Sequence, residues 1–232
     1  MLGANLIRPP VRDDGSKLWI QEIFYTLQGE GPFSGQPAVF VRLGGCNLAC
    51  YFCDTDFESS QWQPSLTELL TCIKSELTDS CRLIVITGGE PFRQSIAPLV
   101  RGLLALPSDL VVQIETNGTL YAELPWSPRL HVVCSPKTSG LHPQLVPYID
   151  SYKYVLRDGE IDEEDGLPAG SYKKSGMPEL IARPEGDKPV FVMPMDEQDE
   201  DRNARNISAC IKSCLKHGYR LTLQTHKLIG VR

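Results

Sequence analysis

The chain has 232 residues, 41% hydrophobic and 22% charged, with a formal net charge of −6. That balance is ordinary for a soluble core and argues against a broad nucleic-acid surface, which needs a basic face; no stretch is long and apolar enough to span a bilayer. Eight cysteines follow an N-terminus without a long apolar segment, so a cytoplasmic, reducing setting is expected, with thiols serving metals or cores rather than bridges.

Leu18 to Thr26 is rich in β-branched and aromatic residues and predicts a strand. Leu27-Gln28-Gly29-Glu30-Gly31-Pro32 breaks it into a loop. Ala38 to Leu43 predicts a second strand, which runs directly into Gly44-Gly45-Cys46-Asn47-Leu48-Ala49-Cys50-Tyr51-Phe52-Cys53-Asp54. Ser65-Leu66-Thr67-Glu68 is a capping box, and apolar residues at helical spacing extend a helix from Ser65 to Leu77. Leu83 to Thr87 is a continuous apolar run that suits a strand buried on both faces. Gly88-Gly89-Glu90-Pro91 ends it, before a helix from Ile96 to Leu106.

Further strands are predicted at Leu110 to Glu115, Leu130 to Ser135, Ser151 to Leu156 and Val190 to Met193; Thr116 to Pro128 is too poor for a full helix. Residues 157–187 lack periodicity and read as a surface insertion. Asn203 to His217 is an amphipathic helix with Ile207, Cys210, Ile211, Cys214 and Leu215 on one face, and Arg220 to Gln224 is a last strand. The alternation predicts one α/β domain over 1–232 with a mostly parallel sheet, arranged as an incomplete or thinned barrel.

Cys46, Cys50 and Cys53 form C-x3-C-x2-C. Thiolates this close on one loop can converge on a metal centre. An ordinary iron–sulfur cluster takes four, so three leave one iron of a four-iron cluster open, as sites that do chemistry require. Structural zinc wants four closed ligands, and His131, His142, His217 and His226 are not paired at ligand spacing. Three is also an odd number for disulfides. Cys72, Cys134, Cys210 and Cys214 fall in predicted helices and strands and read as small core residues.

Polar or glycine-bearing clusters follow five predicted strands: Gln28 to Glu30, the cysteine loop, Thr87 to Pro91, Glu115 to Gly118, and Ser135 to Lys137. Ligands bind at that edge of a parallel sheet, so one site built from several loops is expected. Gly88-Gly89 either admits a ligand close to the backbone or makes a tight turn. Arg42 either clamps a carboxylate or forms a surface ion pair. Glu30 and Glu115 are either buried acids needing partners or loop acids facing solvent. Thr55, between Asp54 and Asp56, offers oxygens that suit Mg2+ or belong to an ordinary turn.

Together these residues resemble the 7-carboxy-7-deazaguanine synthase family of radical S-adenosylmethionine enzymes. The resemblance is carried by the cysteine triad and by Glu22 to Gly31, Phe40 to Cys46, Cys53-Asp54-Thr55, Glu115-Thr116-Asn117-Gly118, Ser135-Pro136-Lys137 and Leu223-Gln224-Thr225-His226-Lys227. It implies a partial, modified (β/α) barrel of the radical SAM type, paired as a homodimer. Cys46, Cys50 and Cys53 would hold a [4Fe-4S] cluster whose open iron is chelated by S-adenosyl-L-methionine. Phe52, Asp54, Gly89, Ser135, Pro136 and Lys137 match contacts to that cofactor. Leu27, Gln28, Gly29, Arg42, Thr87 and His226 match substrate contacts, as does the terminal carboxylate of Arg232. Thr55 matches a Mg2+ ligand, and Glu30, Glu115 and His226 are the catalytic candidates.

The implied reaction converts 6-carboxy-5,6,7,8-tetrahydropterin to 7-carboxy-7-deazaguanine with loss of ammonia, in queuosine biosynthesis. A reductant such as flavodoxin or ferredoxin would feed the cluster, with no nucleic-acid or membrane partner. Two other readings remain at this stage. A glycyl-radical activase needs the triad but not Gln28, Arg42 and His226 around a pterin. A non-catalytic electron carrier would want a fourth protein ligand.

Overall fold

The structure, a computed structural model, describes residues 5–107, 109–170 and 180–232. Eight strands form one sheet in the order of the chain: β1 (Ile20–Leu27), β2 (Pro37–Leu43), β3 (Leu83–Gly88), β4 (Val111–Thr116), β5 (Leu130–Cys134), β6 (Ile149–Leu156), β7 (Val190–Pro194) and β8 (Arg220–Leu221). β1 pairs with β2 antiparallel, and every later pair is parallel. Each strand is added beside its predecessor, so the sheet curls in one direction without closing. This is the expected partial barrel. The helices are α1 (Leu66–Glu76), α2 (Ala97–Leu104), α3 (Glu200–His217) and α4 (Thr225–Ile229). Among the described residues no helix is long and apolar enough to cross a membrane.

Alternation along the strands divides the molecule into two faces. Val39, Val41, Ile84, Ile86, Val112 and Ile114 are wholly buried in the main core, together with Leu69 and Ile73 of α1 and Leu99, Val100 and Leu103 of α2. On the other face, Ala38, Leu83 and Val85 pack with Phe33, Phe40 and Val111 near the strand starts and plug that end. Two residues further along, the same face turns polar or charged: Phe40 gives way to Arg42 and Val85 to Thr87, while in β4 and β6 the polar Gln113 and Ser151 give way to the charged Glu115 and Lys153. The barrel mouth is therefore lined by groups for binding rather than packing.

The capping box predicted for α1 is present: Ser65 Oγ accepts from Glu68 N (3.3 Å), and Glu68 Oε2 accepts from Ser65 N (2.8 Å). Ser65→Ala should lower unfolding stability by about 1 kcal/mol without touching activity, a loss that urea titration of the two proteins would measure.

Three expectations need correction. The last strand is two residues long rather than Arg220 to Gln224. Past Leu221, Thr222 N donates to Val192 O (3.0 Å) and its hydroxyl accepts from Gly31 N (2.8 Å), and the chain then turns into α4. That five-residue helix has no side-chain cap at its start and is too short to show a period, although Gly230 closes it in the left-handed conformation. The helix ending at His217 is also turned from its apolar stripe. α3 buries Asn206, Ala209, Cys210 and Ser213, whereas Ile211 is 42% and Leu215 84% exposed. Polar anchors decide this: Asn206 Nδ2 donates to Met195 O (2.9 Å), Asp158 N donates to Asn206 Oδ1 (2.8 Å), and Ser213 Oγ donates to Gly166 O (2.7 Å). Finally, 157–187 is not laid over the surface throughout. Residues 171–179 of it fall outside the described residues, but Leu167 and Ile181 are buried in the main core.

Candidate active site

A cavity of about 520 Å³ opens at the C-terminal ends of the parallel strands, walled on one side by β1 and by α4. Its size suits a small-molecule site.

The rim is built by stitching three loops together. Gly89 N donates to Leu43 O (3.2 Å) and Glu90 N donates to Gly45 O (3.0 Å), so the turn after β3 is bonded to the start of the cysteine loop. A Cβ on Gly89 would stand 2.1 Å from Gly45 O. The close approach that demands glycine here is the protein's own backbone, although Gly89 also borders the cavity. Glu90 is fully buried and points away from solvent, accepting from Phe92 N (3.0 Å), Thr116 Oγ1 (2.7 Å) and Asn117 N (2.7 Å). Burial pushes its carboxyl up to about 7 against those three donors. Asn117 Nδ2 donates to Asn47 Oδ1 (2.9 Å), tying the loop after β4 to the cysteine loop as well.

Cys46, Cys50 and Cys53 are free thiols, and all three border the cavity. Leu48 N donates to Cys46 Sγ (3.4 Å) and Asn5 Nδ2 to Cys53 Sγ (3.8 Å). Burial raises all three thiols, Cys46 to about 12, where the Glu90 charge adds to it. Among the described residues, no three Cys, His, Asp or Glu side chains gather as a single metal ion would need. A cubane is compatible, because each thiolate takes a different iron and the sulfurs stand apart. No fourth cysteine borders the cavity, and its one histidine, His226, is seated against Gly29. The donor set therefore fits a four-iron cluster with one corner free.

Beside the cysteines, Lys137 lies over the Phe52 ring (6.0 Å) and donates to Ser135 O (2.9 Å), while Ser135 Oγ donates to Lys153 O (2.7 Å). Burial pulls the Lys137 ammonium down. Asp54 Oδ2 pairs with Lys227 of α4 (2.5 Å) and accepts from Gln224 Nε2 (3.2 Å). Burial works to raise the Asp54 carboxyl, but Lys227 outweighs it and holds it low. Thr55 Oγ1 donates to Asp54 Oδ1 (3.3 Å); Asp56 accepts from Glu58 N (2.9 Å) in a turn, and both Thr55 and Asp56 border the cavity.

The floor of the cavity is charged. Lys153 Nζ lies 2.5 Å from Glu30 Oε2 and 3.5 Å from Glu115 Oε2. Glu115 also accepts from Gln113 Nε2 (2.8 Å), Gln28 Nε2 (3.2 Å) and Thr87 Oγ1 (3.4 Å); Glu30 accepts from Gln224 Nε2 (3.1 Å). Both acids are thus partnered groups of the cavity rather than loop acids in solvent. Burial raises the Glu30 carboxyl, but the Lys153 charge and hydrogen bond bring it below its usual value. On the β1 wall, Arg42 Nε pairs with Glu22 Oε1 (2.7 Å) and its guanidinium lies over Phe24 (5.7 Å). Arg232 pairs with the same Glu22 and stacks on the same ring (4.8 Å), and Thr26 Oγ1 donates to Arg232 O (2.6 Å). The Arg42 ion pair exists, but in the cavity wall rather than on the open surface.

Of the residues matched to cofactor, substrate or metal contacts from the sequence, Gly29 and Pro136 do not border the cavity, and in the strand-end clusters Glu90, Pro91 and Gly118 also lie off it. Gly29 acts indirectly: its O accepts from Thr225 N (3.2 Å), and a Cβ there would fall 2.0 Å from His226 Nδ1. Gly29→Ala should push His226 and α4 outward, raising KM about tenfold while leaving stability within about 1 kcal/mol, because a side chain yields more easily than backbone; steady-state kinetics beside thermal unfolding would check this. Sequence reasoning missed Lys153, Glu22, Gln224 and Lys227 as cavity residues. Glu22, Gln224 and Lys227 fall within the stretches that carry the family resemblance, and Lys153 carried a signal of its own: a lone charge inside the buried run Ser151 to Leu156.

The family model of the Radical SAM superfamily matches residues 40–126, from β2 through the loop after β4. A protein of Rhodospirillum rubrum described as 7-carboxy-7-deazaguanine synthase is 55% identical over the whole of both chains. Proteins so described from Rickettsia prowazekii (41% identical, 100% of this chain and 96% of the relative) and Escherichia coli K12 (31% identical, 91% and 98%) are also similar. Among solved structures, the crystal structure of QueE from Escherichia coli superposes with a TM-score of 0.67 at 27% identity, over 90% of this chain and 95% of that one.

Proposed function

This chain belongs to the 7-carboxy-7-deazaguanine synthase family of the radical S-adenosylmethionine superfamily, and from that footing we propose how its cavity divides the work. The reaction is the ring-contracting conversion of 6-carboxy-5,6,7,8-tetrahydropterin to 7-carboxy-7-deazaguanine, with ammonia released. Cys46, Cys50 and Cys53 would hold the [4Fe-4S] cluster, and the side of the cavity beside them would hold S-adenosyl-L-methionine. Phe52, Asp54, Gly89 and Ser135 to Lys137 flank that cofactor. When bound, cluster and cofactor together supply one-electron chemistry that no protein side chain can.

The remaining residues bind and orient the pterin. Arg42 engages Glu22 through Nε, which leaves the two terminal amino groups of the fork outside that pair and suited to the substrate carboxylate. Gln28, Thr87, Glu30 and Glu115 line the floor with acceptors and donors for the ring edge. His226 and the terminal carboxylate of Arg232 close the wall beside β1. Thr55 would offer its hydroxyl oxygen to a Mg2+ ion, which would supply Lewis-acid chemistry to the substrate. Phe24, Phe52 and Met193 give the cavity its apolar wall. The setting implied is a cytoplasmic homodimer reduced by a flavodoxin or ferredoxin.

One observation carries this reading: three free thiols and no fourth border the same cavity as an arginine and a carboxylate floor. An electron carrier would have no use for the second half of that cavity, and an activase would have to admit a polypeptide. Anaerobic reconstitution followed by mass spectrometry on the carboxylated tetrahydropterin is the test. Formation of the deazaguanine, dependent on S-adenosyl-L-methionine, is expected. A reconstituted cluster whose EPR spectrum ignores that cofactor would sink the proposal.

A further inference from the structure

We propose that Lys153 is a positioning residue for the reaction, acting through Glu30 and Glu115, whose carboxylates it holds side by side on the cavity floor as acceptors for the N–H edge of a reduced pterin. The inference rests on the substrate class given above.

Nothing local to β6 asks for a lysine. Ser151, Tyr152, Tyr154, Val155 and Leu156 are all buried, and Lys153 itself is 6% exposed. Burying an ammonium is costly unless it is paired. It is paired twice, at 2.5 Å to Glu30 and 3.5 Å to Glu115. Two carboxylates within reach of one nitrogen repel each other when that cation is removed.

The other charges nearby cannot take its place. Lys137, from the loop after β5, is held by Ser135, and His226, from α4, is pushed toward its neutral form by burial. Arg42 is paired with Glu22, and Asp54 with Lys227. The arrangement also leaves capacity for a ligand. Gln113 and Gln28 saturate Glu115 Oε1, whereas Oε2 has only the long contacts to Thr87 (3.4 Å) and Lys153 (3.5 Å). The pyrimidine edge of a reduced pterin presents amino and ring N–H donors. Those need oxygen acceptors, and an acid that keeps its proton presents a donor in the wrong place.

The test is kcat/KM across pH 4 to 9 for the reconstituted wild type, Lys153→Met and Lys153→Arg. Lys153→Met should lose about 100-fold near neutrality, and its acid limb should move up by about one pH unit or more, because Glu30, buried without its cation, keeps its proton longer. Lys153→Arg should keep the wild-type limb with a smaller loss. The double variant Glu30→Gln/Lys153→Met removes the group that titrates and should lose the displaced limb. An acid limb of Lys153→Met that coincides with the wild type overturns the proposal. If Lys153→Met does not fold, the double variant should, since it buries one charge fewer; failure of both marks Lys153 as a purely structural residue and also overturns it. A wild type that neither binds nor converts the pterin refutes the substrate reading instead. In that event the link to Glu30 is decided by ¹³C NMR titration of the labelled carboxyl: an upward move in Lys153→Met supports it, and no move overturns it.

Discussion

Cys50→Ser is expected to abolish turnover, a loss of roughly 10⁴-fold or more, while the metal-free fold survives. The serine is nearly isosteric, and the loop that carries it is held by backbone bonds elsewhere: Gly45 N donates to Phe57 O (2.9 Å), and the turn after β3 is bonded to Leu43 and Gly45. Cys46 would be a poorer choice, because it is buried and its O accepts from Arg8 N (2.7 Å), so structural and ligand effects would mix. The physical reason for the large effect is the ligand count. A cluster held by three thiolates that loses one has two, and a hydroxyl is a weak replacement for a soft donor. Iron content and visible absorbance of the reconstituted protein should fall with activity. Thermal unfolding of the metal-free variant should stay close to that of the metal-free wild type, and the extra stability conferred by cluster loading should vanish. Full iron loading in Cys50→Ser would remove Cys50 from the ligand set.

Gly89→Ala carries the second large effect, and through a different route. The added Cβ would stand 2.1 Å from Gly45 O, and the contact is backbone, which has no rotamer to yield. Relief means parting the ends of β2 and β3 and breaking the bonds from Gly89 N to Leu43 O and from Glu90 N to Gly45 O. A loss of about 2–4 kcal/mol is expected, together with poor cluster loading in whatever fraction folds, because the same movement displaces Cys46. Gly140→Ala is the matched control. A Cβ there meets nothing within 4 Å, so its stability should stay within about 0.5 kcal/mol of the wild type. Urea midpoints and iron content for both variants would separate the two cases. A Gly89→Ala protein as stable and as iron-rich as the control would mean that the stitching of the rim is incidental.

The strands were legible because their signals are local. The run from Leu83 to Thr87 can be read as a buried strand without knowing its neighbours, and the strand at Leu83–Gly88 follows. The α1 start was legible for the same reason, since Ser65 and Glu68 satisfy each other within one turn. Where polar side chains make the decisive contacts, apolar pattern misleads: α3 is oriented by Asn206 and Ser213, and Ile211 and Leu215 are left outside. At α4 there was no pattern to read, because five residues complete little more than one turn.

What the sequence determined by itself is the chemistry that three nearby residues can carry. Cys46, Cys50 and Cys53 lie within eight residues of chain, so their convergence on one loop needs no knowledge of the rest of the fold. The tertiary structure alone decided which charges meet. Lys153 reaches Glu30 across 123 positions, Gln224 reaches Glu30 across 194, and Arg232 reaches Glu22 across 210. Those pairings exist because the sheet curls until its first strand and the segment after its last strand face one cavity, and curvature of that kind is a property of the whole set of strands rather than of any segment.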